Sequence, residues 1–319
     1  MDQLTGVLDL ALIASTLRLV APILLAAMGG LLSERVGIFN VALEGLMLAG
    51  AFAAVAGTHW TGDPFIGLAL AVLAATVLAL VFAIVVVDLG GDAIVAGLAL
   101  NILALGLTTY LIRPVFGVQG SFYDPNLRGL PDVRLPLVAD LPVLGPLVSG
   151  YSPLVYLAFA LALVLQVWLF RHPGGIRLRA VGEAPVAAAS VGIRVRRTRY
   201  LALLAAGVLC GLAGAQLSIS LVTQFVLGMT AGRGFIALVA VMFGRAHPIG
   251  VLAASLLFGF MYALALRLQG SAVPPQFVAM LPYVATIVVL VLFAVRARRR
   301  LAAARTAVDE AGVAELPPA

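Results

Sequence analysis

Nine long apolar segments constrain the fold of this 319-residue chain more than any other feature. About 20 mainly apolar residues are enough for a helix to cross the ~30 Å hydrocarbon core of a membrane. Lipid offers no hydrogen-bond partners to the backbone, so each segment is expected to be helical. The sequence therefore predicts an all-α integral membrane protein with eight to ten transmembrane helices. The segments cover approximately residues 8–32, 41–57, 64–87, 93–112, 151–170, 200–220, 222–243, 248–267 and 277–295.

The composition excludes several functional classes. Hydrophobic residues make up 63% of the chain and charged residues 11%, against about 45–50% and about 25% in soluble domains. All 20 basic residues are Arg, so the chain cannot contain a lysine-bearing phosphate loop. It has one cysteine, Cys210, and no Ser/His/Asp constellation or metal-ligand spacing. We expect no enzyme activity and no cofactor in this chain, and any ATP it uses must be bound by another subunit.

Two of the apolar segments are poor single spans. The segment 41–57 is short and follows the polar stretch 33–37. The segment 222–243 carries Gly228, Gly232 and Gly234 in its middle. Short or glycine-interrupted segments are typical of discontinuous helices that line a transport path. The sequence therefore predicts two broken helices.

The two broken segments also share a pattern that predicts an internal repeat. In each, a charged residue and a glycine precede an apolar helical run, a glycine ends the run, and a polar residue then precedes a proline. Five membrane crossings separate the two copies, and an odd number means opposite orientation, so the repeat would be inverted. The matching positions are Glu44, Gly45, Gly57, Asp63 and Pro64 in the first copy and Arg233, Gly234, Gly244, His247 and Pro248 in the second.

The distribution of arginine predicts the orientation of the chain. Residues 171–199 contain seven Arg, the tail after residue 295 contains five, and Arg35 and Arg245 lie in short connections. Cytoplasmic loops are rich in Arg, so these regions are predicted to be cytoplasmic, with nine crossings and an external N-terminus. Residues 1–300 then form the transmembrane domain, and 301–319 a disordered cytoplasmic tail. The proline-rich segment 113–150 becomes an external loop, either a plain linker or a docking surface.

Polar and aromatic side chains within the apolar segments are candidates for the substrate pathway. A charge in a span costs about 2.5–3.5 kcal/mol on insertion scales, so it usually has a function or a partner. Glu44 and Arg233 either face a central cavity or form a structural ion pair. The amides are suited to a neutral polar solute, or they tie helices together. The candidates are Asn40, Glu44, Asn101, Gln216, Phe225, Arg233 and Tyr283.

The predicted cytoplasmic loop 171–199 contains a short helix with small side chains. Pro185 suits the first turn of a helix, an alanine run follows, and Gly192 suits the position just after a helix end. Such a helix can seat in a groove of a partner protein, or it can lie on anionic lipid. The candidate coupling residues are Gly182, Glu183, Ala184, Pro185, Ala188 and Gly192.

Four sequence blocks resemble the permeases of ABC importers for nucleosides and simple sugars, a class that includes ribose-type and branched-chain amino acid permeases. The blocks are GLLSERVGIFNVALEGLM (30–47), the coupling loop from LRAVGE (178–183) to Gly192-Ile193, TAGRGFIAL (230–238) and FGRAHP (243–248). The resemblance covers about residues 10–295. It implies a bacterial-type cell membrane protein that works with a second, different permease chain, with ABC ATPase subunits that hold ATP and Mg²⁺, and with an extracytoplasmic solute-binding protein.

The first block favours nucleosides, because the ribose-type pattern there usually has an Asp-Leu-Ser sequence that this chain lacks. The resemblance therefore implies an ATP-driven importer of nucleosides that works by alternating access, with ribose-like sugars as the alternative solute. A self-sufficient secondary transporter is the alternative from another class. The coupling loop argues against it, as does the lack of an acidic proton relay beyond Glu44.

Overall fold

The computed structural model describes residues 10–134 and 149–269, together with helical positions 280, 284, 287 and 291 of a further segment. Tyr283 and the tail 301–319 lie outside the described residues. The elements, in chain order, are α1 (Leu10–Arg35), α2 (Leu43–Thr61), α3 (Pro64–Ala83) with a π-helical turn (Ile84–Asp88), α4 (Ala93–Phe116), β1 (Ser121–Tyr123), α5 (Pro153–Arg171), α6 (Pro173–Glu183), α7 (Pro185–Ser190), α8 (Val195–Ala215) with a π-helical turn (Gln216–Leu221), β2 (Gln224–Val226), α9 (Arg233–Phe243) and α10 (Pro248–Leu268).

The predicted all-α membrane architecture is confirmed. Within the described residues, α1, α3, α4, α5, α8 and α10 are long and apolar enough to cross a membrane, counting the π-helical turns of α3 and α8. The segment 222–243 is broken as predicted, because its first half holds β2 and a series of turns, and only its second half is helical. The predicted break in the segment 41–57 is wrong, because α2 runs without interruption from Leu43 to Thr61.

One predicted helix end is wrong. Gly57 does not end the helical run, since α2 continues to Thr61 and ends at Gly62, which has a φ of 72°. Gly57 instead allows α3 to approach closely, because a Cβ there would lie 2.9 Å from the Cα of Gly67. Gly57 therefore marks a close contact between two helices and not the end of a helix.

The helix α1 forms the centre of the bundle. Every residue from Val20 to Ser33 is buried, so this part of α1 is surrounded by protein on all sides. The helices α8 and α10 pack along it, while α2 packs against α3, α4 and α8. The two helices that follow each other at the start of the chain, α1 and α2, thus form the framework that the others surround.

Small residues on α8 allow its close packing. Cβ atoms at Gly207 and Gly211 would lie 2.9 Å from the Cα of Thr76 and 2.7 Å from the Cα of Val72, both in α3. On the α2 side, a Cβ at Gly50 would lie 2.9 Å from the Cα of Gly211. Close backbone approach at glycine is the usual source of helix association in membranes, where the hydrophobic effect does not drive helices together.

The connections collect at two opposite ends of the bundle. At one end, Arg35 contacts Ala246 and Gly182 lies against Gly37, while Asp88 pairs with Arg196. The structure therefore groups the arginine-rich connections that were predicted to be cytoplasmic. Which end faces the cytoplasm stays a prediction.

A small sheet that the sequence did not predict lies at the other end. The strands β1 and β2 pair antiparallel, with Phe122 opposite Phe225. In the predicted external loop 113–150, α4 continues to Phe116 with Pro114 inside its last turn, and an isolated bridge joins Val133 to Tyr151. Residues 135–148 lie outside the described part.

Candidate translocation site

The carboxylate of Glu44 binds the beginning of the broken helix α9. Its Oε1 accepts a hydrogen bond from the backbone N–H of Gly232 at 2.8 Å, and its Oε2 accepts one from that of Gly234 at 2.6 Å. Gly232 precedes α9 with a φ of 79°, so these N–H groups belong to the open first turn of the helix. A helix N-terminus has no intrahelical acceptors there and carries partial positive charge, which stabilises an anion.

The side chain of Asn101 plays a matching role at the beginning of α2. Its Oδ1 accepts from the backbone N–H of Gly45 at 2.8 Å, and its Nδ2 donates to the carbonyl of Val41 at 2.9 Å. The residue that precedes α2, Ala42, has no side chain that can cap the helix. The helices α2 and α9 are therefore each capped by a polar side chain from another helix, and the two caps are adjacent because Glu44 and Gly45 are neighbours.

These caps lie deep in the bundle. Ten residues separate Arg233 from Phe243 at the far end of α9, which corresponds to about 15 Å of helix. Half of a ~30 Å hydrocarbon core is a comparable distance. The beginnings of α2 and α9 therefore meet near the middle of the predicted membrane region.

The structure shows a different arrangement from the ion pair considered for Glu44 and Arg233. In the described part of the chain, the ion pairs are Asp88–Arg196 and His59–Asp124, and Glu44 takes part in neither. The Nη1 of Arg233 instead donates to the carbonyls of Met229 and Thr230 at 3.1 and 3.2 Å. Its guanidinium lies 4.9 Å from the ring centre of Tyr262, a cation–π contact that the sequence did not indicate.

Three further candidates lie inside the protein. Asn40 is 2% exposed and holds the turn before α2, since its Oδ1 accepts from the N–H of Ala42 and its Nδ2 donates to Ser33. Gln216 is 1% exposed and accepts from the hydroxyl of Ser152 at 2.7 Å. These two side chains are occupied by protein partners, so a direct contact with solute would require a rearrangement.

Phe225 is fully buried, with its ring 5.2 Å from that of Phe52 in an edge-to-face contact. It belongs to the packing beneath the β1–β2 sheet and does not offer a free ring face to a solute. The structure brings together Glu44, Asn101 and Arg233, and it places Asn40, Gln216 and Phe225 in supporting positions.

The short helix predicted within residues 171–199 exists as α7. Pro185 is its first residue, and Gly192 follows its end with a φ of 82°, which confirms both sequence signals. Ala188 is buried against the bundle, whereas Glu183 and Ala184 are exposed. Val186 and Val191 are 85% and 75% exposed. The sequence did not predict α6, the helix that precedes α7.

Gly182 fixes the position of this loop on the bundle. A Cβ at Gly182 would overlap the carbonyl oxygen of Arg35 and lie 3.0 Å from the backbone nitrogen of Gly37. The loop therefore contacts directly the turn that leads into α2. Within residues 10–134 and 149–269, no group of three or more His, Cys, Asp or Glu side chains could hold a metal ion.

Comparisons with known proteins agree with this architecture. The family described as branched-chain amino acid transport system / permease component matches residues 12–293. The guanosine ABC transporter permease protein NupQ of Bacillus subtilis (strain 168) is 36% identical over 307 residues, which cover 90% of this chain and 92% of NupQ. The nucleoside ABC transporter permease protein NupC of Lactococcus lactis subsp. cremoris (strain MG1363) is 36% identical over 88% of this chain and 92% of NupC.

A third similar protein carries a different solute in its name. The putative glucose ABC transporter permease protein TsgC13 of Haloferax volcanii is 32% identical over 88% of this chain and 90% of its own length. No solved structure matches the chain. The match to the family covers most of the sequence and agrees with the six long apolar helices of the described residues. The chain therefore belongs to the branched-chain amino acid transport system permease family, as a multi-pass permease subunit of an ABC importer in the cell membrane.

Proposed function

We propose that this permease moves nucleosides into the cell. The similarity to NupQ and NupC, each at 36% identity over about nine tenths of this chain, carries the proposal. A neutral solute fits the site, because the carboxylate of Glu44 is already engaged by two backbone N–H groups. The path then offers polar groups without a free acid to repel or trap a charged solute.

The pathway of this proposal runs past the beginnings of α2 and α9. Glu44, Asn101 and Arg233 are each partly exposed there. Arg233 uses one nitrogen for its bonds to Met229 and Thr230, so its other N–H donors are available to hydroxyl and carbonyl oxygens of a solute. Asn40, Gln216 and Phe225 support the two turns, and Tyr283 keeps its predicted place in the pathway. Alternating access would change the angle between the two capped helices.

ATP hydrolysis is assigned to a separate subunit. A chain without lysine cannot supply the usual phosphate loop, so ATP and Mg²⁺ belong to a partner ABC ATPase, and this chain needs no cofactor. The helix α7 is the contact with that ATPase. Gly182, Glu183, Ala184, Pro185, Ala188 and Gly192 shape or flank this contact. The other proposed partners are a second permease chain, which completes the path, and an extracytoplasmic solute-binding protein.

The domain layout follows from this function. We assign residues 1–300 to the transmembrane permease domain, with 113–150 outside and 171–199 in the cytoplasm, and residues 301–319 to a cytoplasmic tail. The exposed apolar side chains of α7, Val186 and Val191, suit a protein groove. The flanking arginines Arg194 and Arg197 are exposed and can pair with acidic groups of the partner, whereas Arg196 already pairs with Asp88.

A simple sugar is the second candidate solute, and the similarity to TsgC13 favours it. A secondary transporter is disfavoured, because both carboxylate oxygens of Glu44, the acidic candidate for a proton relay, are bonded to the backbone of α9.

Equilibrium binding by the partner solute-binding protein tests the solute assignment. Labelled guanosine, uridine, ribose and glucose are compared on the purified binding protein. We expect nucleosides to bind and free sugars not to compete. Preferential binding of ribose or glucose would overturn the nucleoside assignment in favour of the sugar alternative.

A further inference from the structure

Arg35 connects the end of α1 with the turn that follows the broken helix α9. Its Nε donates a hydrogen bond to the carbonyl of Ala246 at 2.7 Å, across 211 positions of the sequence. Ala246 and its neighbour Arg245 have φ values of 49° and 51°, so this turn has a fixed, unusual shape. A hydrogen bond from a charged donor is about twice as strong as one between neutral groups. The end of α9 is therefore hydrogen-bonded to α1 through the side chain of Arg35, beside the packing of Gly30 against Val241.

The same residue contacts the coupling loop through its backbone. The carbonyl of Arg35 lies so close to Gly182 that a side chain at position 182 would overlap it, and the next contact of Gly182 is with Gly37. No side chain separates the two backbones at this point, so a displacement of α6 and α7 is passed directly to residues 35–37. Those residues lead into the turn that precedes α2.

The side chain of Arg35 is also oriented by an aromatic ring. Its guanidinium lies 5.8 Å from the ring centre of Phe170, and that of Arg179 lies 4.7 Å from the same ring. Arg179, unlike Arg35, has a buried Nε without a hydrogen-bond partner. A cavity of about 460 Å³ borders both arginines and separates the coupling loop from the end of α9. The loop therefore has space to move while the Arg35 bond spans the gap.

We infer that Arg35 is a positioning residue for transport, which transmits movement of the coupling loop to α2 and α9 together. This inference rests on the proposed function, since it takes α7 as the contact with the ATPase. The contacts begin and end at Arg35. The loop packs against residues 35–37, which lead to α2, and Glu44 of α2 binds the beginning of α9. The turn that follows α9 returns to Arg35 through the carbonyl of Ala246. Movement at the loop thus changes both ends of α9 in one step.

The first test compares Arg35→Met, Arg35→Lys and Arg179→Met in the complete reconstituted complex. Arg179→Met is the matched control, because it removes an arginine from the same ring but no hydrogen bond to the turn at Ala246. In Arg35→Met we expect ATP hydrolysis stimulated by the loaded binding protein to persist, while uptake falls about tenfold or more, the effect of one lost charge-assisted hydrogen bond. Arg35→Lys, which keeps a charged donor, should recover part of the uptake.

Three results would overturn the inference: normal uptake in Arg35→Met, a parallel loss of hydrolysis and uptake in that variant, or an equal loss of uptake in Arg179→Met. The second would mean that Arg35 serves assembly, and the third that the aromatic stack alone matters.

A distance measurement separates this inference from the proposed function. Spin labels at Val186 and Met242, which are 85% and 58% exposed, report the separation of α7 and α9 in a Cys210→Ala background. We expect one narrow distance distribution in the otherwise unchanged protein and a broad one in Arg35→Met. An unchanged distribution would refute the role of Arg35, whatever the solute is. A complex with native Arg35 that neither hydrolyses ATP nor takes up nucleoside would refute the proposed function instead.

Discussion

The carboxylate of Glu44 accepts a hydrogen bond from the backbone N–H of Gly234 at 2.6 Å, although 190 positions of sequence separate the two residues. A side chain at position 234 would overlap the backbone of Glu44, so the contact requires glycine. The charged and glycine positions that open the two proposed repeats are therefore in direct contact. This contact sets the relative position of α2 and α9.

Removal of one carboxylate oxygen should weaken that contact. In Glu44→Gln the amide nitrogen faces a backbone N–H, so one donor of the α9 N-terminus loses its acceptor, at a cost of about 1–3 kcal/mol. We expect a lower thermal unfolding temperature in detergent and reduced uptake, while the complex still assembles. Glu34→Gln is the control, because Glu34 is an exposed carboxylate at the end of α1. Normal stability and uptake in Glu44→Gln would contradict the capping role.

Substitution of the partner glycine should have a larger effect. Gly234→Ala places a methyl group against the backbone of Glu44 and forces α9 away from α2. Overpacking of this kind costs typically about 1–3 kcal/mol. Gly106→Ala is the matched control, since Gly106 is an exposed helical glycine with no atoms near its added Cβ; it should be neutral or stabilise by about 0.5–1 kcal/mol. The measurement is the thermal unfolding temperature of the two purified variants. Equal values would show that the close approach of Gly234 to Glu44 does not contribute to stability.

A bulky residue after α7 should uncouple the transporter. Gly192→Trp imposes a left-handed backbone penalty of roughly 1–2 kcal/mol and adds bulk beside the exposed end of α7. Gly62→Trp is matched in strain, because Gly62 also has a positive φ and open surroundings. Gly62 follows the C-terminal end of α2, which lies at the opposite end of the bundle from α7. We expect similar stability losses in both variants. ATP hydrolysis and uptake should fall only in Gly192→Trp, and an equal effect of both changes would make α7 a passive linker.

The orientation of the chain can be tested by thiol labelling in cells. Tyr123 in β1 and Val186 in α7 are 65% and 85% exposed and lie at opposite ends of the bundle. In a Cys210→Ala background, an impermeant maleimide added outside should label Tyr123→Cys in intact cells. Val186→Cys should react only after the membrane is permeabilised. Labelling of Val186→Cys from outside would reverse the proposed topology.

Much of the architecture can be predicted from the sequence, because the length of an apolar segment and the positions of proline and glycine determine helices through local effects. Each of the nine apolar segments contains described helix, and the helices at Pro64, Pro185 and Pro248 begin at the proline itself. The glycines of the segment 222–243 also mark its real break. These features follow from the lipid environment and from backbone geometry, and they need no knowledge of distant contacts.

The partners of the polar residues could not be predicted in the same way. A charged pair, Glu44 and Arg233, suggests an ion pair in the sequence, but the acceptors and donors that these side chains use are backbone groups. Nearly every residue carries the same backbone N–H and C=O groups, so the sequence does not indicate which of them lack a partner within a helix and can bind a distant side chain. The β1–β2 sheet was missed for a related reason, because its strands are three residues long and lie about 100 positions apart.

ATP-dependent uptake of labelled guanosine by proteoliposomes tests the central claim most directly. The liposomes contain this permease, the second permease and the ATPase, with the solute-binding protein on the opposite side from the ATP. The account predicts that guanosine accumulates only when ATP and Mg²⁺ are present, and that excess ribose or glucose leaves its uptake unchanged. Accumulation of guanosine without ATP, or of sugar in place of guanosine, would contradict it.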